Sequence, residues 1–112
     1  MNLSLTEENG VTIIALSGKI MGGPEATQIN DQIHALIDQN KKNLIIDLEE
    51  VDWMNSSGLG ILIGAITTLK NNGGKLALIN VSERIRNLFR ITKLKDVFPV
   101  YPDKHSAMQA FK

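Results

Sequence analysis

Leu44-Ile45-Ile46-Asp47-Leu48 is a short, nearly continuous apolar run. A strand with one wet face alternates apolar and polar residues. A run that hardly alternates suits a central strand covered on both faces, the situation of a parallel sheet between helices. The run leads into an acidic stretch, Glu49-Glu50-Val51-Asp52-Trp53-Met54, which reads as a short loop. Asn55-Ser56-Ser57-Gly58-Leu59-Gly60 then opens an apolar helix carrying Leu59, Ile61, Leu62, Ile63, Ile66 and Leu69. Gly60 and Gly64 weaken helix propensity and are expected to let this helix approach the sheet closely.

The flanking segments fit the same plan. Residues 3–8 alternate and meet Asn9-Gly10, a strong hairpin signal, so residues 11–17 are expected to return antiparallel. Gly22-Gly23-Pro24-Glu25 reads as a helix start, with proline in the first turn and an acid near the positive dipole end. Ala26, Ile29, Ile33, Leu36 and Ile37 keep helical spacing up to Asn40-Lys41-Lys42-Asn43. Asn71-Asn72-Gly73-Gly74 stops the second helix, residues 75–80 form a strand, and Ser82 caps a helix bearing Ile85, Leu88 and Phe89. Residues 97–101 read as a last short strand. Residues 103–111 read as a closing helix packing Ala107, Ala110 and Phe111.

Alternating strands and helices imply right-handed crossovers between neighbouring parallel strands. The expectation is an α/β fold: a mixed four- to five-stranded sheet with an antiparallel N-terminal strand and helices packed around it. The 112 residues suit a single domain, 1–112, with no linker, repeat or low-complexity segment.

Composition narrows the function. The formal net charge is zero, so nothing draws the chain toward nucleic acid or an anionic membrane, and no direct nucleic-acid contact is expected. No cysteine is present, which removes disulfides, thiolate catalysis and thiolate metal sites together. Residues 1–8 lack a basic region followed by an apolar run, so no signal peptide is read there. No uninterrupted apolar stretch reaches membrane-spanning length, so membrane insertion is not expected. A cytoplasmic location is the expectation, and the Asn-x-Ser matches at Asn2, Asn55 and Asn80 are taken as chance.

Chemistry centres on Ser56 and Ser57. One of them capping the helix is the plain reading. A nucleophilic serine needs a base and a group to orient it, and the only histidines are His34 and His105. Asn-Ser-Ser-Gly-Leu-Gly is not a Gly-x-Ser-x-Gly elbow, and Gly58 and Gly60 lack the third glycine of a dinucleotide fingerprint. No metal, cofactor or catalytic residue is expected. Asp47, Glu49, Glu50 and Asp52 form an acidic rim before the serines. Trp53, the only tryptophan, is a core residue or an exposed anchor by its loop position. Arg84, Arg86, Arg90, Lys93 and Lys95 form a basic cluster of the kind that is usually a solvated helix face.

At Asn55-Ser56-Ser57-Gly58-Leu59-Gly60, preceded by Ile45-Ile46-Asp47-Leu48 and Val51-Asp52-Trp53-Met54, the chain resembles bacterial anti-sigma factor antagonists, which are single STAS domains. Asn72-Gly73-Gly74-Lys75-Leu76, Leu88-Phe89-Arg90-Ile91-Thr92-Lys93-Leu94 and Phe98-Pro99-Val100-Tyr101 extend the resemblance over nearly the whole chain. The resemblance implies that Ser56 is phosphorylated by a histidine-kinase-like serine kinase that doubles as the anti-sigma factor. A PPM-type phosphatase reverses the step. The unphosphorylated antagonist binds the kinase and frees the sigma factor, so the protein is a substrate and competitor rather than an enzyme. The implied partner surface is Gly22, Gly23, Trp53, Met54, Asn55, Ser56, Ser57, Gly58 and Leu59. Two positions depart from the family pattern. Asn55 stands where Asp is usual, which is expected to slow phosphorylation without abolishing it, and Met21 stands where many members have Asp. Other readings of the same domain are a subunit of a lipid or ABC-type transport assembly partnered with an ATPase, and a scaffold in a partner-switching pathway that does not end in a sigma factor.

Overall fold

The computed structural model describes residues 2–91 and 99–111. Lys93, Lys95, Val97 and Phe98 fall outside the described residues, as do the side chains of Glu25 and Ala26. The described strands are β1 (Asn2–Glu8), β2 (Val11–Ile20), β3 (Asn43–Met54), β4 (Lys75–Ile79) and β5 (Val100–Tyr101). The helices are α1 (Pro24–Asp38), α2 (Ser56–Asn71), α3 (Glu83–Ile91) and α4 (Lys104–Ala110). The sheet order is β1-β2-β3-β4-β5, with β1 antiparallel to β2 and the other neighbours parallel. This is the mixed sheet expected from the sequence.

The hairpin forms as its dipeptide requires. Asn9 (φ 52°) and Gly10 (φ 80°) both take positive φ, and Glu8 pairs with Val11 across them. This is the twist-matched two-residue turn.

The central strand is longer than the sequence suggests. β3 does not stop at Leu48 but continues to Met54, so the acidic stretch is strand rather than loop. It pairs in parallel with Ser17, Gly18, Lys19 and Ile20 of β2, which itself runs past residue 17. Register shifts between Ala15 and Ser17 and between Gly18 and Lys19 explain why the pattern hides it. Such shifts break the two-residue period, so Val51 and Met54, three apart, both turn inward. β3 thus outruns β4, whose pairing with it ends at Asp47 and Ile79. The β2–β3 ribbon projects beyond the rest of the sheet and carries the serine segment at its tip.

The sheet separates two apolar layers. The larger joins Ile14, Leu16 and Ile20 of β2 and Leu44, Ile46 and Leu48 of β3 to Ile33 of α1, Leu62 and Leu69 of α2, and Ile85 and Phe89 of α3. The smaller holds Val11, Ile13, Ile45, Ala77 and Ile79 against Ala107 of α4, with Met108 and Phe111 at its edge. Alternation along β2 and β3 therefore feeds both faces, which is why residues 44–48 read as a continuous apolar run.

Helix ends follow the punctuation in the sequence. Gly73 (φ 77°) closes α2: its N–H donates to the Lys70 carbonyl, and that of Gly74 to the Leu69 carbonyl, the paired bonds of a Schellman stop. Ser82 Oγ accepts from the Ile85 N–H. Asp103 lies just outside α4 as its cap, accepting from the Ser106 N–H at 2.8 Å, and these bonds to Ser106 hold its carboxyl below the usual carboxylate range. Ala110 is exposed rather than packed, because it falls on the outer side of α4.

Leu62 is fully buried where α2 meets the sheet. Leu62→Ala is expected to lower unfolding stability by about 2–5 kcal/mol, measured by urea denaturation. A loss below about 1 kcal/mol would contradict this packing.

Candidate functional site

The N-terminus of α2 sits at the tip of the β2–β3 ribbon. Its cap is Asn55, not either serine. Asn55 has extended backbone (φ −107°, ψ −176°), and its Oδ1 accepts from the Gly58 N–H at 2.8 Å. Its carbonyl accepts from the Leu59 N–H at 2.9 Å, and its own N–H donates to the Ile20 carbonyl at 3.4 Å. Asparagine caps as well as serine does, so local chemistry did not force the choice. With the cap filled, Ser56 and Ser57 occupy the first two helical positions, and both are exposed. Among the described residues, no hydrogen bond joins either hydroxyl to a histidine or a carboxylate, and no group of three metal-ligating side chains forms.

Gly58 is the residue that lets the helix start here. A Cβ on Gly58 would fall directly on the Ile20 carbonyl oxygen, and 2.9 Å from its carbon. The first turn of α2 therefore rests on the last residue of β2. Gly60 and Gly64 do not play the role expected of them. Both are exposed, and a Cβ on either would meet nothing within 4 Å. The close approach belongs to Gly58 alone of the three.

The loop from β2 to α1 completes the surface. Gly22 (φ 99°) lies against Ser57, where a Cβ would stand 3.0 Å from the serine Cβ. Gly23 (φ 67°) precedes Pro24 at the start of α1 and provides no side-chain cap. Gly22, Asn55, Ser56 and Ser57 thus gather in one place. Met54 (5% exposed), Leu59 (2% exposed) and Gly58 are buried, so these three members of the expected partner surface lie beneath it and support it.

Trp53 is 40% exposed, on the β3 extension rather than in a loop. The Arg84 guanidinium lies 5.3 Å from its ring centroid, a cation–π contact, and Lys19 is its register partner on β2. Arg84 was legible only as one of a basic cluster, and no spacing rule links it to Trp53. A groove of about 500 Å³ runs on from Ser57 between α1 and α2, lined by Thr27, Asn30, Gly60, Ile61 and Gly64.

A family model for the STAS domain matches residues 2–107. The chain belongs to the STAS domain family. BtrV of Bordetella bronchiseptica, named as a candidate anti-sigma factor antagonist, is 27% identical over 112 residues, covering 100% of this chain and 96% of that one. The anti-sigma-B factor antagonist of Bacillus subtilis is 40% identical over 67 residues, 60% of this chain and 62% of that protein, so this match spans less than two thirds of the relative. The crystal structure of an anti-sigma factor antagonist from Mycobacterium paratuberculosis superposes with a TM-score of 0.81 at 27% identity, covering 97% of this chain and 92% of that one. No helix among the described residues of this STAS domain is long and apolar enough to cross a membrane.

The three glycines of α2 give a direct test. Gly58→Ala is expected to cost about 3 kcal/mol or more, because backbone has to move. Gly60→Ala and Gly64→Ala are each expected to stabilise by about 0.5–1 kcal/mol, through helix propensity alone. Thermal melts of the three variants check the ordering, and a destabilised Gly60→Ala would reverse the assignment.

Proposed function

We propose that this STAS domain is an anti-sigma factor antagonist switched by phosphorylation of Ser56. The observation that carries the reading is an exposed serine at the first position of a rigidly seated helix, in a family whose curated relatives bear the antagonist name. The unphosphorylated protein binds a histidine-kinase-like serine kinase that is also the anti-sigma factor, and so releases the sigma factor. A PPM-type phosphatase restores this form. The protein is then the kinase's substrate and the sigma factor's competitor, with no turnover of its own. The exposed parts of the contact are Gly22, Gly23, Trp53, Asn55, Ser56 and Ser57.

Physical chemistry supports a switch at this position. Phosphorylation adds about −1.5 to −2 charges at neutral pH. A helix N-terminus accommodates an anion through its free N–H groups and dipole, so the domain need not unfold. A dianion within a packed contact repels an acidic partner and has to be desolvated, and it adds to the negative charge of the exposed Glu50 and Asp52 on the β3 extension. The interface changes while the fold persists.

Incubation with ATP and the cognate kinase, followed by mass spectrometry, is expected to place phosphate on Ser56. Ser56→Ala is expected to bind the kinase constitutively, and Ser56→Asp to fold but bind at least about tenfold more weakly, or 1.4 kcal/mol. Phosphate on Ser57 alone, or none, would overturn the assignment. Recovery of a transport ATPase in place of a serine kinase in a pull-down would favour the transport-subunit reading.

A further inference from the structure

The cap of α2 has an unused half. The Asn55 Oδ1 is committed to the Gly58 N–H at 2.8 Å, which fixes the orientation of the side-chain amide. Its Nδ2, with two N–H donors, makes no hydrogen bond among the described residues. The next residue is Ser56, whose side chain is exposed, and the first turn of α2 contains no acidic residue. Gly58 has already given its N–H to the cap and Leu59 has given its own to the Asn55 carbonyl. A phosphate on Ser56 therefore finds fewer backbone donors than an uncapped helix would offer, and a neutral amide donor on the adjacent side chain.

We propose that Asn55 is a positioning residue for the modified state: its oxygen caps α2 while its free amide hydrogen-bonds the phosphate on Ser56. An aspartate would keep the cap, because either carboxylate oxygen can accept from Gly58. It would lose both donors and set a negative charge beside the phosphate. Asparagine at this position thus favours the phosphorylated form, an effect separate from how well the kinase recognises the segment. The proposal rests on Ser56 as the phosphate acceptor.

The test uses full-length protein with phosphoserine installed at position 56 during translation, so that no kinase is needed. In the native sequence, the Asn55 side-chain amide protons are expected to move downfield in proton–nitrogen NMR spectra as the phosphate takes its second charge, near pH 6. Phosphorus NMR on Asn55→Asp is expected to show the second phosphate ionisation raised by roughly half a unit or more. Asn55→Ser, a neutral cap without the amide, is expected to shift it less. Lys19, Glu50, Asp52 and Arg84, charged side chains described along this end of the ribbon, are the same in every variant. An Asn55 amide that does not respond to phosphate ionisation would overturn the proposal, as would an unchanged ionisation in Asn55→Asp. The amide measurement needs no substitution, so it decides even where a variant folds poorly. Failure of the kinase to modify Ser56 would sink the function proposed above but would not alter this result.

Discussion

The seating of the α2 N-terminus on the end of β2 is the contact on which the rest of this site depends. Gly58 allows it by having no side chain where the Ile20 carbonyl stands. The same carbonyl receives the Asn55 N–H, so one backbone group at the end of β2 fixes both the cap and the first turn of the helix. Serines at the first two helical positions are then held at a defined place by rigid backbone, although their own side chains are free in solvent. Gly22 against Ser57 brings a second chain segment to the same point. The site is built by backbone packing, and the buried Met54 and Leu59 anchor it from below.

That construction suits a switch read by a partner. Chemistry on a side chain needs activated groups, and the charge added by phosphate needs only accessibility and a scaffold that tolerates an anion. The helix end supplies the tolerance. The β2–β3 ribbon, projecting past β4, supplies the accessibility and carries Trp53, with its Arg84 partner, on the β3 extension that leads to the serines. Large aromatic side chains anchor interfaces because they bury much area at small entropic cost. Under the function proposed above, charge added at the ribbon tip acts on the partner surface and leaves the core under α1 and α2 alone.

Much of this was legible in the sequence, and the misses have physical causes. The hairpin at Asn9-Gly10, the stop at Gly73-Gly74 and the cap at Ser82 are each set by one or two residues with a narrow conformational choice, so each was readable locally. Residues 44–48 announced a strand covered on both faces. The extension of β3 to Met54 was hidden because register shifts break the two-residue period, and acids on the strand imitate a loop. Serine and asparagine cap equally well, so only the helix register separates Asn55 from Ser56 as the cap. Gly58, Gly60 and Gly64 look alike in sequence. Which of them meets the sheet depends on which face of α2 turns inward, and tertiary packing decides that. The Trp53–Arg84 contact joins a strand and a helix by the fold alone, and no local signal announces it.

The central claim is that phosphate on Ser56 alters a surface and spares the fold. Amide hydrogen exchange on the phosphorylated and unphosphorylated forms tests it most directly, because it reports opening residue by residue. The account expects unchanged protection along β2, β3 and the interior of α2 from Leu62 to Leu69, with differences confined to residues 21–23 and 53–59. Loss of protection through the β2–β3 pairing or the middle of α2 would show that the switch works by loosening the domain, and would contradict the account.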